Sequence, residues 1–397
     1  MRSTAFFVAV VMATILSVPT PADQTGGSAP QRGEAPPDFP RFDRVVLLEA
    51  AGETSANVAI GDLNGDGHLD IVLAKGRHWP LVNRVLFGDG RGAFSAGADL
   101  GTAADRTYSG RLADLDGDGD LDVVISNDTP DHKLVYLNDG TGRFRRGSGF
   151  GRAEWATRNI SIADLNRDGL PDIVVANRSG RGAGANYVCL NGGAGKFDSE
   201  CTVFSNESAT TITPADFNGD GAMDLAVPHR DGGQSHIYLQ QRGGPVPSFR
   251  RVPFGPPDAA IRVSEAGDFN GDGVIDIVAI DERRGVAVYF GERGDRFASG
   301  ARIDASTATP YALAVADLNL DRRIDVVVGY VEAQPAVLFN DGSGRRFTTV
   351  HFGDTKGTAY GFAVGDLDRD GRPDIVMARS GAPNAAYLAA SGPARAP

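Results

Sequence analysis

Seven short acidic segments dominate the chemistry available to this chain. The pattern Asp-x-Asn/Asp-x-Asp-x-x-x-Asp begins at Asp62, Asp114, Asp164, Asp216, Asp268, Asp317 and Asp366, at spacings of 52, 50, 52, 52, 49 and 49 residues. Oxygen ligands at alternate positions converge only where the chain curls tightly, and Gly at the sixth position supplies that turn. Position seven then offers a backbone carbonyl and position nine a further carboxylate. The first set is Asp62, Asn64, Asp66, the carbonyl of His68, and Asp70. The second is Asp114, Asp116, Asp118, Asp120 and Asp122, and the third is Asp164, Asn166, Asp168, Leu170 and Asp172. The fourth and fifth are Asp216, Asn218, Asp220, Ala222 and Asp224, then Asp268, Asn270, Asp272, Val274 and Asp276. Asp317, Asn319, Asp321, Arg323 and Asp325 form the sixth, and Asp366, Asp368, Asp370, Arg372 and Asp374 the seventh.

Carboxylate, amide and carbonyl oxygens in one small loop suit Ca²⁺; Mg²⁺ demands a more rigid octahedron, and no His or Cys is placed for zinc. Up to seven ions are expected. The twelfth position, where an EF-hand has its bidentate Glu, lies inside apolar runs at Leu73, Ile125 and Val175, so the ninth-position Asp must replace it. Twenty-three of the 51 acidic residues are carboxylate ligands in these sets, Asp120 offering its carbonyl instead, so the net charge of −12 is local ligand supply. In the sixth segment Leu320 and Arg322 stand where the others have Gly or Arg and then Gly. A non-Gly residue in a left-handed turn costs on the order of 1 kcal/mol, so this site is expected to be the weakest.

What positions these loops is a repeat of about 50 residues. Each acidic segment follows a small-apolar strand such as Val58-Ala-Ile-Gly and precedes a β-branched run such as Ile71-Val-Leu or Val326-Val-Val. A second strand follows (Leu134-Val-Tyr-Leu, His236-Ile-Tyr-Leu), and a Gly-rich turn delivers a Phe, as at Phe144 and Phe347. Four strands per unit with no helical period is the pattern of a propeller blade. The seventh unit ends near Ala386-Tyr387-Leu388 without its Phe-bearing outer strand, and Phe42-Asp-Arg-Val-Val-Leu at the other end of the chain matches that strand. The fold expected is therefore all-β: a seven-bladed β-propeller of four-stranded antiparallel blades over residues 41–392, its ring closed by the N-terminal strand.

Residues 1–22 read as a secretory signal peptide, with Arg2, an apolar run from Ala5 to Val18, and then small residues and Pro. That run is too short to span a membrane. Residues 23–40, rich in Gly, Pro, Ser and charge, read as a disordered linker. A secreted or periplasmic location follows. It opens the way to a hairpin disulfide between Cys189 and Cys201, with two buried thiols as the alternative. The acidic balance and the lack of any basic block argue against nucleic acid, and a monomer without a membrane span is expected.

The segment Asp-Leu-Asn-Gly-Asp-Gly-His-Leu-Asp-Ile-Val at 62–72 and its six relatives resemble the FG-GAP/VCBS repeat family, which includes the integrin α-chain propeller and many secreted bacterial proteins. The resemblance covers residues 42 to about 390. It implies a seven-bladed propeller with Ca²⁺ in the loop between the first and second strands of each blade. It does not imply one function, since relatives serve in adhesion, as lectins, and in polysaccharide lyases.

No nucleophile elbow, HExxH, P-loop or dinucleotide fingerprint is present. Arg293-Gly294-Asp295 spells an adhesion tripeptide but occupies a hairpin that reads Asn-Asp-Gly elsewhere, and Asn159, Asn177 and Asn206 begin glycosylation sequons. The loops at the far ends of the strands hold Arg77-His78-Trp79, Asn127-Asp128, Asp131-His132, Asn177-Arg178, His229-Arg230-Asp231 and Asp281-Glu282-Arg283-Arg284. Arg106, Tyr108, Trp155, Arg158, Tyr311 and Tyr360 lie between blades. Aromatic rings beside Arg, Asn and Asp suit recognition of a sugar or peptide, with an ordinary polar rim as the plain alternative. The ligand-binding candidates are His78, Trp79, Tyr108, His132, Trp155, Arg158, His229 and Arg230. Two function classes follow: an extracellular binding or adhesion module for a glycan or protein, and a polysaccharide-degrading enzyme with its active site on the face opposite the acidic loops.

Overall fold

Continuous apolar runs flanked by acidic turns favour short strands buried on both faces, and the molecule is built from them. A computed structural model describes residues 39–178, 184–197, 201–241, 246–297 and 300–390. Among these the regular structure is all β-strand, and no helix is long and apolar enough to cross a membrane. The expected signal peptide, most of the linker (23–38) and residues 391–392 lie outside the described residues.

Seven antiparallel four-stranded sheets are present. Blade 1 comprises Ser55–Gly61, Asp70–Lys75, Leu81–Gly88 and Phe94–Asp105. Blade 2 repeats it with Thr107–Ala113, Asp122–Asn127, Lys133–Asn138 and Phe144–Phe150. The inner strands of blades 3 to 6 are Thr157–Ala163, Thr213–Ala215, Ile261–Gly267 and Pro310–Ala316. Blade 7 comprises Thr358–Gly365, Asp374–Ser380 and Ala385–Ala390, and its outer strand is Arg41–Leu47. Arg44 pairs with Leu388, Val45 with Tyr387 and Val46 with Ala386. The N-terminal strand therefore closes the ring.

Contacts between successive inner strands run right round the molecule and return from blade 7 to blade 1. The core is correspondingly divided into seven apolar clusters, one at each seam between blades. The ring begins earlier than expected. Phe39, assigned to the linker by its Pro-rich surroundings, stacks on Phe339 of blade 6 at 4.6 Å, and Phe42 packs against Phe352 at 5.6 Å. Packing of a second, partly buried aromatic ring extends the folded unit upstream of residue 41.

Six of the seven inner strands carry a β-bulge at the same place. The register skips Ala56, Tyr108, Arg158, Arg262, Tyr311 and Tyr360. Each lies six residues before the first Asp of its acidic motif. A bulge re-aims a side chain, and here it does so at the end of the strand remote from the acidic loop.

Candidate functional site

The acidic loops share one backbone plan. The first-position Asp accepts the N–H of position six in every loop, for example Gly67 to Asp62 at 2.9 Å and Gly371 to Asp366 at 2.9 Å. The fifth-position carboxylate accepts the N–H of position seven, as from His68 to Asp66 at 2.8 Å. The turn needs positive φ at the fourth and sixth positions: Gly65 and Gly67 adopt +74° and +80°, and in the sixth loop Leu320 and Arg322 adopt +61° and +69°. The sixth loop thus builds the same turn without Gly, keeping the Arg322 N–H bond to Asp317 at 2.7 Å.

The ninth-position Asp does two jobs. All seven are fully buried, and each accepts two backbone N–H groups. Asp122 takes Leu115 at 2.9 Å and Asn138 at 2.8 Å; Asp70 takes Leu63 and Gly88 likewise. This Asp locks the loop to the third strand of its blade whether or not a metal is bound. Burial, opposed by these N–H donors and reinforced by neighbouring carboxylates, raises Asp70, Asp122 and Asp172 to about 6. It raises Asp224, Asp276, Asp325 and Asp374 to about 7.

Among the described residues, two loops bring their carboxylates close enough to hold a metal ion. Ligand oxygens of Asp114, Asp116 and Asp122 lie within 4.8 Å of one another, as do those of Asp366, Asp368 and Asp374. In both, the third-position Oδ1, on Asp116 and Asp368, is buried without a hydrogen-bond partner. An orphaned anionic oxygen among two other carboxylates is unfavourable unless a cation joins them. These clusters fit a metal ion.

Side chains that the motif does not predict join neighbouring loops. Asn138 Nδ2 donates to the Leu63 carbonyl of the preceding blade at 2.8 Å, Asn191 to Leu115 at 2.9 Å and Asn340 to Phe269 at 2.8 Å. Gln240 makes the equivalent bond to Leu165. Each opens a Gly-rich turn, so its sequence signal was that of a turn residue.

At the other end of the inner strands the bulged residues form an axial mouth. Arg77, from the loop after the second strand of blade 1, lies 3.9 Å from the ring centroid of Tyr360, 5.3 Å from Tyr108 and 5.9 Å from Tyr311. It also donates to the Tyr311 hydroxyl at 3.3 Å. Arg262 covers Tyr311 at 3.6 Å and Arg158 covers Tyr108 at 4.4 Å. Arg158 pairs with Asp128, while Arg262 and Arg230 share Glu282 Oε1 at 2.5 and 2.9 Å. The Tyr108 hydroxyl meets the His78 ring at 3.1 Å. Deeper on the inner strands, Arg111 bridges Asn57 and Asn159 at 2.7 and 3.2 Å. There, burial holds Glu265 up at about 7 against the pull of Arg111.

Of the eight candidate ligand residues, the structure gathers His78, Tyr108, Arg158 and Arg230 at this mouth. Trp79 stands beside it, 71% exposed. Trp155 is elsewhere: its ring stacks on Tyr187 at 3.8 Å and belongs to the seam between blades 2 and 3. His132 is exposed, beside Asp105. His229 Nδ1 is buried without a partner. Arg262 was missed, because a lone Arg in a strand gives no local signal. Asn127 and Asn177 are buried turn supports, bonded to Thr107 and Thr157 Oγ1 at 2.7 and 2.8 Å. Asp295 of the Arg-Gly-Asp turn is paired with Arg250. Cys189 and Cys201 are joined, with Cα atoms 4.4 Å apart. Asn159 and Asn177 are engaged in the interior, whereas Asn206 is exposed.

A closed ring of seven blades, each with an acidic loop after its inner strand, defines a repeat propeller of the integrin-α-like type. The family described as FG-GAP-like repeat matches residues 62–125, 114–175, 164–227, 268–328 and 317–377, and the chain belongs to that family. No curated protein matches the sequence. Two solved structures are similar in fold. "Crystal structure of BBS1N in complex with ARL6DN, soaked with lead" has 10% identity and a TM-score of 0.60, covering 90% of this chain and 99% of that chain. The same complex soaked with mercury has 11% identity and a TM-score of 0.56, covering 88% and 97%.

Proposed function

We propose that this protein is a secreted or periplasmic binding module that holds Ca²⁺ in its acidic loops and meets a glycan or protein ligand at its axial mouth. The observation that carries this reading is the separation of two chemistries along the same inner strands. Every acidic loop leaves one end, and bulges collect Arg and Tyr at the other. The oxygen-only donor sets suit Ca²⁺, which when bound would neutralise the carboxylates and hold the loops. The joined Cys189 and Cys201 fit an oxidising compartment. In the structural neighbours a propeller is in complex with a protein partner, which supports a protein ligand as one of the two classes. The test is binding to glycan and protein arrays by wild type, Trp79→Ala and Tyr360→Ala. Loss of the signal in both variants with folding retained is expected. Unchanged signals would overturn the placement of the site, and release of shortened products from a bound polysaccharide would favour the enzyme reading.

A further inference from the structure

The mouth holds more guanidinium groups than carboxylates. Arg77, Arg158, Arg230 and Arg262 gather about Tyr108 and Tyr311, against Asp128 and Glu282, while Arg178 next to Arg230 is matched by Asp231. Two of these arginines share a single carboxylate oxygen. Among the described residues Arg77 is paired with no carboxylate, only with phenol rings. Arg262 Nε is buried without an acceptor. This excess sits on a chain whose net charge is −12.

The same charges act on the groups around them. Burial pushes the Tyr311 phenol up, yet Arg77 and Arg262 outweigh it and hold the phenol below its ordinary value. Burial lowers the His78 imidazole, and Arg77 and Arg158 lower it further. Clustered cations concentrate an anion beside them, and guanidinium forks match the oxygens of carboxylate and sulfate.

We infer that the axial mouth takes the carboxylate or sulfate groups of an acidic polysaccharide, held by Arg77, Arg230 and Arg262. This rests on the reading of the mouth as the binding face and adds the chemistry of the ligand. A sugar chain fits better than an acidic peptide because Trp79 stands exposed two residues beyond Arg77, offering a flat apolar face to a sugar ring beside the bound anion.

The test measures binding of the full chain, in Ca²⁺, to polygalacturonate, dextran sulfate, neutral dextran and poly-glutamate. At least one acidic polysaccharide should bind, weakening with salt, and neutral dextran should not. Polygalacturonate binding alone assigns a carboxylate ligand and dextran sulfate binding alone a sulfate. Arg77→Gln and Arg262→Gln should each weaken binding about tenfold while Arg77→Lys retains most of it, with melting curves checking that each variant is folded. Three results would overturn the inference: binding to neither acidic polysaccharide, equal binding to neutral dextran, or tighter binding to poly-glutamate. Acidic-polymer binding that Arg77→Gln spares and Asp118→Ala abolishes would also overturn it, by placing the polymer on the metal face. If an array instead finds a neutral glycan whose binding Tyr360→Ala removes, the mouth remains the binding face and only the anion inference fails.

Discussion

Arg44 Nη1 lies 3.0 Å from Asp368 Oδ2, so the strand that closes the ring also touches the third-position carboxylate of the seventh acidic loop. The same guanidinium donates to the Arg91 carbonyl in blade 1 at 2.7 Å. Closure, acidic loop and first blade meet at one side chain. At the opposite end of the seam, Lys75 is buried and pairs with Glu49 and, at 2.9 Å, with Glu53; Asn384 of blade 7 donates to Glu49 at 2.5 Å and to Ser55 at 2.7 Å.

The closure should therefore be as important as any complete blade. Deleting residues 42–48 exposes the edge of Ala385–Ala390 and should cause aggregation or loss of cooperative unfolding. Lys75→Ala strands the nearly buried Glu49 carboxylate and should cost about 3–5 kcal/mol. Deleting residues 23–38 should change neither solubility nor the unfolding curve. A soluble, cooperatively folding protein without 42–48 would disprove the assignment.

Much of this architecture was readable because its signals are local. The acidic loop is nine residues long, its turn residues lie within it, and counting strands at both ends of the chain reveals the closure. The mouth is different. Arg77, Tyr108, Tyr311 and Tyr360 come from four blades, and only the bulge within each inner strand aims the last three together. Arg262 and Asn138 look like ordinary strand and turn residues until the neighbouring blade is in place. Trp155 misled for the same reason: it sits in a polar loop, but Tyr187, thirty-two residues away, covers its face.

Trp155→Ala should accordingly act on stability. Removing a ring stacked in the seam between blades 2 and 3 should cost about 2–3 kcal/mol. Trp79→Ala, at an exposed side chain, should leave the melting temperature within about 1 °C. Thermal melts of the two variants side by side decide the point; equal melting temperatures would return Trp155 to the ligand surface.

Glu265 should leave a mark on the pH dependence of stability. Its carboxyl is raised from 4.5 to about 7 by burial, with Arg111 opposing. A raised folded value means the native state holds the proton more tightly than the unfolded chain. The resulting stabilisation is complete below the unfolded value of 4.5 and is lost as pH rises through about 7. Glu265→Gln removes this titration, so wild type should lose about 1–3 kcal/mol more than the variant between about pH 5 and 8. Parallel stability profiles would show that the carboxyl titrates alike in both states.

The acidic loops allow a sharper test, because two of their carboxylates should fail in different ways. With Ca²⁺ bound only by the folded protein, chelation should lower the melting temperature substantially, and Ca²⁺ should restore it better than equimolar Mg²⁺. Asp118→Ala removes a fifth-position ligand, so most of its cost should vanish when wild type and variant are compared in EDTA. Asp122→Ala also deprives the buried Leu115 and Asn138 N–H groups of their acceptor. That loss, about 2–5 kcal/mol, should persist in EDTA. Asp321→Ala should cost less than Asp118→Ala in Ca²⁺, since Leu320 and Arg322 already hold the sixth turn against left-handed strain. Equal costs for Asp118→Ala and Asp321→Ala would show that the sixth loop binds as well as the second. A melting curve unmoved by exhaustive chelation would remove calcium from the account and leave the ninth-position Asp as a purely structural residue.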